Sequence, residues 1–272
     1  MLKKFKFTLL ALASSFMISS CAAPSGVAGG DKSFSVQQLE ALTKVFYQEL
    51  ASNENITTPS RSKVKKPQCV TRAIGREVSG GFAALRSEWQ IALLRTCQLN
   101  SAFLNNGILV LSNCTPDLLN DQDELAYVIA HSYAHFLLED DNRRLSKLIG
   151  QEFKDKKLDF KTYLRVPENY DNVVKAFGLI DQNGEVTPYT EAEELAADTI
   201  AVQIMAKAGF NPSGMLILWN RLKTDDALKD SPFGKMHPHS DDYLNKFSDQ
   251  IKDLGPIVNR ARNELGRKPL CN

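Results

Sequence analysis

The chain has 272 residues, 43% of them hydrophobic, and its 33 basic and 32 acidic side chains leave a net charge of +1. That length and hydrophobic content suit one globular domain with a sizeable core. The near-neutral balance carries no electrostatic footprint for a nucleic-acid partner.

Residues 1–20 read as a secretory signal. Lys3, Lys4 and Lys6 form its charged start, and the apolar run over residues 7–17 is too short to span a bilayer well. Ile18-Ser19-Ser20-Cys21 resembles a bacterial lipobox, in which the signal is cut before a cysteine that becomes lipid-modified. Residues 21–34 then form a lipidated Cys21 and a Gly/Ser/Pro tether. Two or three acyl chains on Cys21 would give a stable anchor, where one chain alone is marginal. Ala22 and Ala23 lack the aspartate of inner-membrane retention, so the expected site is the periplasmic face of the outer membrane. A plain signal peptide with a chance cysteine is the alternative.

The domain proper is expected over residues 35–272. Residues 35–50 read as an amphipathic helix with Val36, Leu39, Leu42, Phe46 and Leu50 on one side. A basic loop follows over 57–66, then a second helix over 67–78 closed by Ser79-Gly80-Gly81. Branched residues over 89–97 and 107–111 predict strands. Residues 142–186 are charged and weakly periodic, and predict mobile structure over a cleft, a helix near 171–180 and a turn at 181–184. Residues 190–208 form a strong helix, with a capping box at Thr190 and Glu193 and a stop at Gly209. Pro212 starts another to about residue 223, and one more runs over 243–254 before a basic tail. Cys69, Cys97, Cys114 and Cys271 remain after processing; an oxidising compartment permits disulfides, and four cysteines allow three complete pairings.

The chemistry concentrates in residues 121–140, DQDELAYVIAHSYAHFLLED. Asp121 is a plausible N-cap with Glu124 at the capping-box spacing, and Leu125, Val128, Ile129 and Phe136 supply a buried face. His131 and His135, at i and i+4, project side by side, as a tetrahedral zinc site needs from a helix. The metallopeptidase form is H-E-x-x-H, whose glutamate is the general base; here that position is Ser132. Glu194 and Asp198 share a face of the 190–208 helix, where Glu194 would complete a two-His, one-Glu ligand set and Asp198 would orient a ligand histidine. The remaining histidines are His237 and His239.

The order of these motifs resembles the M48 family of zinc metallopeptidases, specifically its small bacterial lipoproteins. Asn100-Ser101-Ala102-Phe103 through Gly107-Ile108-Leu109-Val110 is followed by HSYAH at 131–135. Glu194 to Asp198, Ala208-Gly209-Phe210-Asn211-Pro212 and His237-Pro238 come next. The resemblance implies an α+β, mostly helical, gluzincin-like domain with a small sheet beside the HxxxH helix. It also implies one zinc on His131, His135 and Glu194, with Asp198 behind them and His237 as a transition-state donor or a gate. The strand holding Ile108, Leu109 and Val110 would be a cleft edge that binds extended peptide by adding a strand. Besides Ser132, the chain departs from the family at Glu191 and Tyr243, where arginines are frequent, and at Asn105-Asn106, where Pro-Gly is usual. Glu124 and Glu193 are carboxylates that could replace the missing base. The expected function is a zinc-holding lipoprotein, weak or inactive as a peptidase, that binds periplasmic or outer-membrane client polypeptides in envelope protein quality control. The alternatives are an active endopeptidase with an unconventional base, or a metal-free structural lipoprotein.

Overall fold

A computed structural model describes residues 34–52, 56–57, 60–78, 89–119, 121–156, 159–181, 183–237 and 240–271. The signal segment, Cys21 and its tether, the Ser79-Gly80-Gly81 stop, Pro238 and His239 lie outside the described residues.

Among the described residues, four strands form a small mixed sheet: β1 (Ile56–Thr57), β2 (Gln90–Leu94), β3 (Ser101–Leu104) and β4 (Ile108–Ser112), in the order β1-β2-β4-β3. β2 pairs parallel with β4, and β3 pairs antiparallel with it. Side chains alternate across the sheet at period two, and both faces are covered. Leu109 and Leu111 join Leu93 and Phe103 in one core, while Ile108 and Val110 join Ala92, Leu94 and Ala102 in the other. This double burial explains why β4 reads as an unbroken apolar run.

Helices flank both faces. On the first lie α2 (Arg61–Val78), α4 (Gln122–Leu138), α8 (Glu191–Ala208) and α9 (Gly214–Thr224). On the second lie α1 (Val36–Ser52), α5 (Asp140–Lys156), α6 (Phe160–Leu164) and α7 (Pro167–Ala176). The short α3 (Thr115–Leu118), α10 (Asp226–Lys229) and α11 (Pro232–Met236) lead to α12 (Asp241–Asp253) and α13 (Gly255–Asn263). The domain is thus α+β and mostly helical, with its sheet beside the HxxxH helix. That helix, α4, is buried continuously from Glu124 to His135, so it packs on all sides rather than along one stripe.

Several expectations need correction. β4 pairs on both sides, so Ile108, Leu109 and Val110 are interior to the sheet; the edge beside α4 is β3, too short to stand out in the sequence. Residues 61–66 are helical rather than a loop. Val64, Pro67, Thr71 and Ile74 form the buried face of α2, and the basic residues mark its solvent side. Pro67 therefore lies inside the helix rather than at its start. Residues 142–186 hold most of α5 and all of α6 and α7, anchored by Leu145, Ile149, Tyr163, Tyr170 and Val173. Asp121 does cap α4, but Glu124 does not close a box, because its carboxylate pairs with Arg221 at 2.7 Å. Residues 255–263 of the tail are helical, and Cys271 bonds to Cys69, leaving Cys97 with Cys114.

The Thr190–Glu193 capping box and the Gly209 stop both form at the ends of α8. Gly209 has φ 86°, and a Cβ there would stand 2.0 Å from the Arg267 carbonyl oxygen. Gly209→Ala should therefore cost well over about 1 kcal/mol, since left-handed strain and a backbone clash combine. Urea unfolding with an unchanged midpoint would count against this account.

Candidate metal centre

Where α4 crosses α8, three imidazoles and a carboxylate converge. His131 and His135 come from successive turns of α4, Glu194 from the first turn of α8, and His237 follows α11. His131 Nε2 lies 2.9 Å from His135 Nε2 and 2.8 Å from His237 Nε2. The Glu194 carboxylate stands 3.4 Å from His131 Nε2, 3.2 Å from His237 Nε2 and 3.9 Å from His135 Nε2.

Each imidazole is held from behind. His131 Nδ1 is 2.8 Å from Asp198 Oδ1, His135 Nδ1 is 2.7 Å from Asp140 Oδ2, and His237 Nδ1 is 2.5 Å from the Phe233 carbonyl. An oxygen acceptor at Nδ1 fixes the proton there, so all three Nε2 lone pairs point inward. Lone pairs at these separations repel unless a cation lies among them.

Glu194 gives the same answer. Both its carboxylate oxygens are buried without a hydrogen-bond partner, and the side chain has no exposed surface. Burial, followed by the neighbouring charge of Asp198, pushes its carboxyl well above the usual range. An ionised carboxylate orphaned in this way is strongly unfavourable without a positive partner. His135 shows the complementary shift: burial first, then His131 and His237, hold its imidazole well below its ordinary pKa and keep it neutral. Tetrahedral zinc, with Zn–N of about 2.0–2.1 Å, spaces its ligand atoms about 3.3 Å apart, and the distances here bracket that value. The donor set fits a divalent zinc-type cation, with His131, Glu194 and His237 forming the tightest cluster.

Asp198 is the hub behind the centre. It accepts Tyr127 Oη at 2.6 Å and His131 at Oδ1, and Tyr243 Oη at 2.8 Å at Oδ2. Tyr243 thus reaches in from α12 and steadies Asp198 through a phenol. Asp140 also accepts a close bond from Arg143, and Tyr189 stacks on His135 with ring centroids 3.8 Å apart.

Ser132 borders the same cavity, but its hydroxyl is committed. Its hydroxyl donates to the Val128 carbonyl at 3.0 Å, which leaves it to accept from Ser101 Oγ, 2.7 Å away on β3. A hydroxyl tied in this way has no base to activate it. Neither candidate replacement reaches the centre: Glu124 pairs with Arg221, and Glu193 closes its capping box. Glu191 is exposed on the first turn of α8.

Of the supporting residues, Tyr127 was accessible to sequence reasoning, being four residues before His131 on the same helix face. Asp140 was not, because α4 ends at Glu139. That residue has a left-handed φ of 57°, and the break swings the next residue back under His135.

An HxxxH helix crossing a helix that carries a buried Glu-x-x-x-Asp pair, beside a small sheet, defines a metallopeptidase-type domain. Residues 67–250 match the model of Peptidase family M48, and the chain belongs to that family, whose members are zinc metallopeptidases. Among curated proteins, none matches the chain.

Tyr243→Phe removes one of three donors to Asp198 without touching a candidate ligand. Zinc affinity, measured by competition with a chromogenic chelator, should fall by about 10–100-fold, the usual cost of losing such support. An unchanged affinity would remove Tyr243 from the account.

Proposed function

We propose that this chain is a zinc-holding M48 domain of an outer-membrane lipoprotein facing the periplasm. It binds client polypeptides in envelope protein quality control and cleaves them weakly or not at all. The observation that carries this reading is the contrast between Glu194 and Ser132: the donor set around Glu194 is complete, while the position of the general base carries a hydroxyl turned onto its own helix.

In this reading His131, His135 and Glu194 hold the zinc, and Asp198, Asp140, Tyr127 and Tyr243 keep them in place. When bound, zinc would supply Lewis-acid polarisation of a peptide carbonyl. His237 serves as the gate. Its Nε2 is as near to His131 as His135 is, so it competes for the fourth position that a peptidase leaves open. With no base at 132 and this competition, cleavage is slow. Among the described residues no helix is long and apolar enough to cross a membrane; in this reading the anchor is the lipid on Cys21.

Zinc content and cleavage of an unfolded protein substrate, with and without chelator, test the reading together. Purified protein should hold about one zinc per chain, His135→Ala should lose it, and Ser132→Ala should keep it. Ser132→Glu should raise cleavage by at least roughly 10², the lower end of the range for an added general base. A zinc-free wild type would sink the metal assignment, and a wild type as fast as Ser132→Glu would sink the claim of weak activity. Cys21→Ala should release the protein from the outer-membrane fraction or leave it unprocessed; wild-type fractionation would refute the anchor.

A further inference from the structure

The carboxylates around the centre are nearly all committed. Glu194 faces the imidazoles, Asp198 holds His131, and Asp140 holds His135. Asp141 is the exception. It is buried in the first turn of α5 and lines a cavity of about 20 Å³ with His131, Ser132, His135, Tyr189 and His237. That volume is room for one water. Its Oδ1 accepts Tyr189 Oη at 2.9 Å, and Oδ2 carries no hydrogen bond among the described residues.

Tyr189 is itself firmly seated. His135 stacks on its ring 3.8 Å away and the Arg144 guanidinium lies 4.0 Å from the ring centroid, so the two take opposite faces. Arg144 also bonds the Thr187 carbonyl, which pins the approach to α8. Gly178, at φ 64°, leaves the space the ring needs, since a Cβ there would stand 3.2 Å from Tyr189 Cε2.

We propose that Asp141 is the catalytic carboxylate of whatever peptide cleavage this centre performs, with Tyr189 as its positioning residue. The water oxygen adds to the peptide carbonyl carbon while Asp141 Oδ2 takes the proton. The C–N bond then breaks, the same proton passes to the departing nitrogen, and Asp141 is ionised again. The inference rests on the zinc-site reading above and supplies the base that Ser132 does not. Burial pushes the Asp141 carboxyl up to about 7; the Tyr189 bond and the Arg144 charge pull against that, and Glu193 adds to it. A carboxyl in that range exchanges its proton near neutral pH, as a general base must.

Asp141→Asn keeps an oxygen for Tyr189. It should retain zinc and lose at least roughly 10² of the chelator-sensitive cleavage, and adding Ser132→Glu to it should restore cleavage. Tyr189→Phe keeps the stack on His135 but drops the bond that lowers the Asp141 pKa, so the pH midpoint of cleavage should move upward. Calorimetry with a phosphinic peptide, an uncleavable mimic of the addition state, provides a readout apart from turnover. Its affinity should depend on pH in wild type, and that dependence should be reduced in Asp141→Asn. Wild-type cleavage in a zinc-loaded Asp141→Asn, or an affinity profile unchanged by that substitution, overturns the proposal. A zinc-loaded wild type with no chelator-sensitive cleavage also overturns it, while leaving the client-binding reading intact. A protein that holds no zinc fails the functional reading itself.

Discussion

Two carboxylates one turn apart on α8, Glu194 and Asp198, have no exposed surface, and the rest of the centre answers to that fact. A buried negative charge must be paired or hydrogen-bonded. Asp198 meets the requirement with three groups from two elements: Tyr127 and His131 from α4 and Tyr243 from α12. In doing so it clamps α4 against α8 and fixes the C-terminal helices over both. Glu194 receives nothing comparable from the protein. One carboxylate is satisfied by the fold, and the other is left for a cation that the imidazole lone pairs also require.

Parts of this were legible in the sequence because they rest on local periodicity. The i, i+4 histidines, the Glu194–Asp198 spacing, the Thr190 cap and the Gly209 stop each follow from helix geometry alone. What stayed hidden depends on contacts distant in sequence or on a broken period. Asp140 reaches His135 only because Glu139 takes a left-handed turn. The Cys69–Cys271 bond spans 202 residues, and no local signal selects it from the three pairings. Glu124 sits at a capping-box spacing, yet Arg221, 97 residues later, takes its carboxylate. Pro67 looked like a helix start because proline interrupts most helices, but Val64 a turn earlier is buried and continues the face.

Ser132 ties the central helix to the sheet. A glutamate there would have to reach toward the metal ligands. The serine hydroxyl instead donates a hydrogen bond to the Val128 carbonyl and accepts one from Ser101. The result is a hydroxyl clip between the central helix and the outer strand of the sheet. A carboxylate there would join Glu194, Asp198, Asp140 and Asp141, all buried, in a region where burial already raises the carboxyls of Glu194 and Asp141. A serine at 132 therefore adds no further buried charge there.

The same clip bears on how a polypeptide could be held. β4 is interior, so strand addition cannot occur there; the outer strand beside the centre is β3. Its first residue, Ser101, bonds Ser132, and Ala102 and Phe103 line the cavity with His131 and His135. An extended segment laid along β3 would run past the imidazoles and meet Asp141 and Tyr189 across the cavity. Main-chain pairing gives affinity with little regard to side chains, which suits clients that share an unfolded state rather than a sequence. The cavity itself, at about 20 Å³, admits a water and not a residue. In the proposed reading, engagement of a chain would shift side chains from its walls, among them His237, Met236 and Tyr189. Of these, Tyr189 is held on both ring faces and through its hydroxyl. His237 is anchored at Nδ1 to the Phe233 carbonyl and stacks on the Phe233 ring, centroids 3.9 Å apart. In the proposed reading the wall that carries the competing fourth donor also faces an incoming segment, so admitting a polypeptide and opening the metal position would be the same motion.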